Sequence, residues 1–218
     1  MPSQRKIRRT AGAIAFFLLG GTTAAALSVR QHSQPAAAAA AEPQTAPDGR
    51  IVLSPGSVHQ ALAAGLIDRP IKTILNVPAR MSYGEFRWDD KGVPAGPTWV
   101  RVDLNSQLLS VFRAGHEIGT AVILYGADAV PTPTGRFPIQ AKMKDHRSAT
   151  YDAPMPYTLR LTADGVSIHA SDVRWGYATH GCIGVPAAFA ARLFGSLKVG
   201  DEVLIVNRSA AQSRNQLS

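Results

Sequence analysis

Trp99-Val100-Arg101-Val102-Asp103-Leu104 alternates apolar and polar side chains, the period of a strand with one face buried. Outward from it, residues 107–113 read as a second strand and 118–125 as a third. Ala114-Gly115-His116 joins them as the tight connection of a hairpin. Pro131-Thr132-Pro133-Thr134-Gly135 reads as a rigid loop, because each proline fixes its own φ and restrains the residue before it. Residues 135–143 follow as a strand. Residues 157–161 and 166–169 form a further pair turning at Ala163-Asp164-Gly165. Pro186 suits the first turn of a helix, and 187–197 sets Phe189, Leu193 and Phe194 on helical spacing. Gly200-Asp201 turns the chain into a last strand, 202–206. Fifteen prolines and nineteen glycines among 218 residues agree with many turns. The pattern predicts a mainly β domain over 98–206, with no internal repeat.

The N-terminal part reads differently. Residues 1–10 carry Arg5, Lys6, Arg8 and Arg9, and 11–27 are apolar up to Leu27, with Ala24-Ala25-Ala26 as a processing site. This predicts a signal peptide or an uncleaved membrane anchor over 1–28. Residues 29–50 have no apolar periodicity and read as a flexible linker. Residues 51–97 read as a small packing extension: Ser57 caps a helix through Gln60, Ala61, Leu62 and Leu66, which Asp68-Arg69-Pro70 ends. Residues 71–77 fit either helix or strand. The polar stretch 207–218 reads as a disordered tail.

The formal charge is +8, and half of it sits in those first ten residues. The remaining chain is mildly basic and lacks a dense Lys/Arg stripe with interleaved aromatics, so a nucleic-acid partner is not expected. Lys142, Lys144, His146 and Arg147, with Asp145 between them, read as a solvated loop.

Cys182 is the chain's single cysteine, which excludes an intrachain disulfide. It is left as an intermolecular bridge, an inert buried thiol or a nucleophile. A histidine within hydrogen-bond reach converts a thiol into a usable nucleophile. His169 ends the strand 166–169, and His180 lies two residues before Cys182 in Thr179-His180-Gly181-Cys182-Ile183. Gly181 permits close backbone approach, and N–H groups just before a helix suit an oxyanion. His169, His180, Cys182 and Asp172 lack the paired spacings usual for zinc, so neither a metal nor another cofactor is expected. Tyr157, Trp175 and Tyr177 read as packing residues or as lining of a cleft.

The stretch Thr179-His180-Gly181-Cys182, with His169 upstream, resembles the YkuD-type L,D-transpeptidase family. The resemblance extends through Arg101-Val102-Asp103-Leu104 with Gln107, the Pro-Thr-Pro loop and Val199-Gly200-Asp201-Glu202-Val203, and so covers about 98–206. It implies an L,D-transpeptidase-like β-sandwich with a short helix after the cysteine. It also implies an exported enzyme of the periplasm or cell envelope, acting on peptidoglycan stem peptides. In that family's terms Cys182 attacks the diaminopimelate–D-alanine carbonyl, His169 is the base, and His180 supports the site. The N–H groups of Gly181 and Cys182 form the oxyanion hole. An amine then resolves the thioester, or water does so in an L,D-carboxypeptidase or endopeptidase. A non-catalytic wall-binding module is the remaining alternative. The chain departs from the family's pattern in three places. Only twelve residues separate His169 from Cys182, Ala170 follows the histidine, and Gly184 stands where arginine or asparagine is common. Arg174 is the candidate to replace that arginine on a substrate carboxylate, with Tyr157 and Thr179 as further substrate contacts.

Overall fold

The computed structural model describes residues 44–46, 49–127 and 129–207. The signal or anchor expected over 1–28, most of the linker and all of the tail after Asn207 lie outside the described residues.

The hairpin around the opening stretch is the centre of the molecule. β5 (Thr98–Asp103) pairs antiparallel with β6 (Leu108–Arg113), and β6 with β7 (His116–Val122). β13 (Glu202–Val206) lies parallel to β5 on its other side and pairs with β8 (Gly135–Pro138). A second sheet holds β9 (Ala141–Arg147), β10 (Pro154–Arg160), β11 (Ser167–Ala170) and β12 (Ile183–Val185), in the order β12-β11-β10-β9. Val100, Val102, Leu109 and Val111 of the first sheet share one buried cluster with Leu159, Ile168 and Ile183 of the second. The molecule is therefore a β-sandwich, as the family resemblance implies. α2 (Ala187–Ser196) adds Phe189, Ala190 and Leu193 to this core. Phe189 is fully buried, with Phe86 and Trp88 edge-on at 5.7 and 5.4 Å. A side chain buried this completely contributes about 1.5–3 kcal/mol.

The strand expected over 135–143 is divided between the sheets. Pro138 has no N–H to continue a ladder, and the next two amides turn to different partners. Ile139 N donates to Asp201 O at 2.9 Å, and Gln140 N to Arg160 O at 2.7 Å. The chain changes sheets at this point. The basic stretch 142–147 lies in β9 and is not a solvated loop. Its strand carries long polar side chains, which hid the period-2 pattern. Lys142 uses its length to reach the C-terminal end of α2, where its Nζ donates to Phe194 O at 2.6 Å and to Leu197 O.

Residues 51–97 extend the first sheet. β2 (Ile51–Val52), β3 (Thr73–Ile74) and β4 (Phe86–Trp88) join it, as does β1 (Gln44–Thr45) from within the expected linker. The helix α1 (Pro55–Ala63) begins earlier than expected: Ser54, not Ser57, is the cap, and its Oγ accepts from Ser57 N at 3.1 Å. Pro55 then sits in the first turn, where its missing N–H costs nothing. This segment covers the outer face of the hairpin. Trp99 and Phe112 stack at 4.3 Å and are buried with Ile71. Arg50, 2% exposed, donates to the carbonyls of Glu117 and Asp89. Among the described residues no helix is long and apolar enough to cross a membrane.

Candidate active site

β11 and β12 run parallel with Ile168 opposite Ile183 and His169 opposite Gly184. Cys182 immediately precedes β12 and so stands level with Ser167. His169 is two residues further along, on the same face of the sheet as that position. A cleft of about 290 Å³ opens there, and both His169 and Cys182 line it. Met155, Tyr151, Tyr177 and Thr179 complete much of its wall.

The turn that carries the cysteine is fixed from below by residues following β7. Thr179 N donates to Tyr125 O at 3.0 Å, and Ala127 N donates to Thr179 O at 3.1 Å. Leu124 and Gly184 exchange both backbone hydrogen bonds, at 2.9 and 3.0 Å. The Thr179 hydroxyl donates to Cys182 O at 2.5 Å, closing the turn. Gly181 has φ 96°, a conformation that side-chain-bearing residues rarely adopt. The Pro-Thr-Pro loop is held against the same region: Gly126 N donates to Thr132 Oγ1 at 2.8 Å, and Thr132 is buried.

His169 is 9% exposed. Its Nδ1 lies 2.9 Å from Ala170 O and 3.3 Å from Ser171 Oγ. A ring nitrogen meets a carbonyl only as a donor, so Nδ1 carries the proton and Nε2 is left as the acceptor. Burial pushes the imidazole below its ordinary pKa, against the pull of Ala170 O, and the His146 charge acts in the same sense as burial. Burial pushes the Cys182 thiol up. The Ser167 N–H opposes that rise and the Asp164 charge adds to it. The Sγ lies 3.9 Å from Gly165 O. Both shifts favour the uncharged forms, a protonated thiol and a neutral imidazole, on the wall of one cleft.

The other residues singled out in the sequence take varied positions. His180 lines the cleft and stacks on Tyr151 at 4.3 Å with the rings 19° apart. Thr179 also lines it, with its hydroxyl engaged in the turn. Tyr157 does not line it. Its φ of 58° breaks the regular pleat of β10, and its ring packs against Phe194 of α2, 5.9 Å away. Arg174 is also absent from the cleft wall. Its guanidinium pairs with Asp172 and lies 5.6 Å from the Tyr177 ring, on the exposed loop between His169 and Cys182. Trp175, 81% exposed, meets Tyr83 edge-on at 5.7 Å.

Gly184 has a local cause. A Cβ there would sit 2.7 Å from Ser171 Oγ, the hydroxyl beside the His169 ring. Ser171, two residues after His169, has a hydroxyl with no signature of its own, and Tyr151 and Met155 escaped the sequence reading because they share no spacing with the histidine or cysteine. Only the pairing of β9, β10 and β11 brings them to the cleft. Among the described residues no group of three or more His, Cys, Asp or Glu is arranged to hold a metal ion.

Residues 97–205 match the model of the L,D-transpeptidase catalytic domain family, YkuD, over half of the chain. Comparison with curated proteins gave no match. Among solved structures the chain is similar to an L,D-transpeptidase (Yku) from Stackebrandtia nassauensis, at 25% identity and TM-score 0.49, over 59% of this chain and 62% of that one. It is similar to Mycobacterium tuberculosis L,D-transpeptidase 1 at 26% identity and TM-score 0.44, over 50% and 60%. The catalytic domain of an Enterococcus faecium L,D-transpeptidase aligns at 28% identity and TM-score 0.43, over 50% of this chain and 96% of that one. The chain thus spans about three fifths of the first two.

Proposed function

The chain belongs to the L,D-transpeptidase catalytic domain (YkuD) family, and from that premise we propose that Cys182 transfers acyl groups between peptidoglycan stem peptides, with His169 as its base. The observation that carries this reading is the shared cleft: His169 faces it from β11 and Cys182 from the turn that enters the parallel neighbour β12, and Nε2 is the imidazole's remaining acceptor.

The two neutral groups assign the order of events. Burial stabilises neither the thiolate nor the imidazolium, so the proton leaves Sγ for Nε2 as the sulfur attacks and does not leave in advance. The S–C bond forms on the carbonyl between diaminopimelate and D-alanine. The oxyanion collects N–H donation from the turn at Gly181 and Cys182. On collapse the C–N bond breaks, and His169 returns the proton to the departing D-alanine amine, leaving a thioester. An acceptor amine then gives a proton to Nε2, attacks the thioester and releases the thiol. The Ala170 carbonyl and the Ser171 hydroxyl hold the ring in the required tautomer throughout. Thr179 and His180 shape the cleft wall. Arg174, on the exposed loop, meets the substrate outside the cleft.

We further assign 98–206 as the catalytic domain, 51–97 as its extension, and 1–28 as the export segment that takes the domain to the cell envelope.

Mass spectrometry of the full chain incubated with a stem tetrapeptide tests the reading. The expected product is Cys182 bearing the tetrapeptide less D-alanine, absent in Cys182→Ala. A folded wild-type protein left unmodified by both the tetrapeptide and a carbapenem overturns it. Adding a D-amino acid separates transfer, which gives exchanged product, from hydrolysis, which gives tripeptide alone.

A further inference from the structure

A second and larger cavity, of about 670 Å³, opens between residues 77–83 and the sheet surface formed by β6 and β7. Its size is that of a small-ligand site. Apolar side chains make about half of its wall, Met81, Leu108 and Val122 among them. Its polar lining includes Glu117, Ser110 and Thr120 on the sheet, with Arg80 and Gln107 also on the wall.

Glu117 is a carboxylate in an unusual place, 7% exposed on the wall of this cavity. Its Oε2 accepts Leu75 N at 2.8 Å. The Ser110 hydroxyl stands beside the carboxylate, and Ser110 Oγ is 3.5 Å from Thr120 Oγ1. Burial pushes the Glu117 carboxyl above its ordinary pKa. The Ser110 hydroxyl, the Leu75 N–H and the Arg50 charge oppose this without cancelling it. A buried carboxyl short of partners gains from a ligand that brings hydrogen-bond donors or positive charge.

We propose that this cavity binds an alkylammonium group on an aliphatic stem: the side-chain amine of a diamino acid in a cell-wall peptide. An ammonium has three donors and no acceptor. Glu117, Ser110 and Thr120 present three side-chain oxygens, while Met81, Leu108 and Val122 receive the methylenes. Arg80, at the exposed mouth, suits a carboxylate on the same peptide. Met81, Leu108 and Val122 also pack in one cluster with Val173 and with Leu124, which lines the cysteine cleft. One cluster of apolar side chains thus reaches from one cavity to the other. The second one holds a stretch of peptide away from the reacting bond.

Only the source of the ligand rests on the cell-wall reading, so the test is made in full-length Cys182→Ala protein, where thiol chemistry plays no part. The probe is Nα-acetyl-L-lysine methylamide, titrated by NMR, with the norleucine analogue as the control lacking the amine. The expected result is saturable binding of the lysine probe, with shifts at the Met81 methyl. Binding should be at least tenfold weaker for norleucine and at least tenfold weaker in Glu117→Gln. Thr120→Val, which keeps the buried shape, gives a second variant if Glu117→Gln does not fold, and is expected to weaken the lysine probe several-fold. Equal binding of the two probes, an unchanged affinity in a folded variant, or the absence of saturation overturns the proposal. Tetrapeptide that acylates wild-type Cys182 while the lysine probe fails to bind would remove the second site and leave the proposed function standing.

Discussion

Ser171 Oγ lies 2.7 Å from the point where a Cβ on Gly184 would sit, and Ser171 Cβ lies 2.8 Å from it. Backbone hydrogen bonds on both sides prevent retreat: Ser171 N donates to Val185 O at 2.8 Å, and Gly184 is bonded to Leu124. A side chain at 184 would therefore push Ser171 off the His169 ring. Gly184→Ala is expected to cost about 1–3 kcal/mol in urea unfolding, the usual range for overpacking. It should also slow acylation of Cys182. Adding Ser171→Gly should restore the stability but not the rate, because the hydroxyl beside Nδ1 is then gone. A double variant as unstable as the single one would show that the clash is not the cause.

Asp68 makes stability depend on acid. Burial raises its pKa, but Arg69 and Arg136, at 2.9 and 3.0 Å, hold it below its ordinary value of 3.8 overall. A carboxylate depressed in the folded state binds a proton less readily than in the unfolded chain. Its contribution is therefore present above the unfolded pKa and is lost as pH falls through the folded one. Asp68→Asn should lower stability at pH 7 and flatten the loss below about pH 4. Thermal melts from pH 7 to pH 2 read this directly. Parallel curves for the two proteins would place the acid sensitivity elsewhere.

Much of the sandwich was legible from local signals: the alternation of 99–104 places β5, and the Gly200-Asp201 turn places the apolar strand 202–206, which is buried at three successive positions and shows no period. The cysteine stretch stood out as a candidate site because it holds the chain's single thiol beside histidine and glycine. What failed was non-local. Nothing in residues 135–143 marks a change of sheet except Pro138, whose effect depends on where Asp201 and Arg160 offer carbonyls. Tyr157 and Arg174 are suitable residue types near the site in sequence. A positive φ turns the first toward α2, and Asp172 holds the second on an exposed loop. The short strands at 51–52, 73–74 and 86–88 carry too few residues to show a period, and pairing with neighbours alone defines them.

The extension is required by the sheet it covers. Trp99 is 5% exposed, stacked on Phe112 and overlaid by the Arg69 guanidinium at 4.5 Å. Without residues 51–97 this outer face would be an exposed apolar patch. A chain beginning at residue 98 is expected to aggregate or to lose its cooperative thermal transition. Trp99→Ala in the full chain should cost about 3–5 kcal/mol by chemical denaturation. A truncated domain that melts cooperatively near the wild-type temperature would show the extension to be dispensable for folding.

The Asp164 charge acts on the Cys182 thiol. Burial and Asp164 both raise the Cys182 pKa, while burial lowers that of His169. The base therefore stays neutral to below its ordinary 6.5, so the acidic limb of the acylation profile should lie below that value. The thiol remains protonated through neutrality, so the rate should level off above the His169 titration and hold until the thiol itself ionises in the alkaline range, where the profile changes again. Asp164→Asn removes one of the two causes that raise the thiol, and should move the alkaline limb to lower pH. His169 should be unaffected, because Asp164 is not among the groups acting on it. Stopped-flow acylation by a carbapenem between pH 5 and 10 resolves both limbs. A shift of the acidic limb in Asp164→Asn, or no shift in the alkaline one, would contradict this assignment of charges.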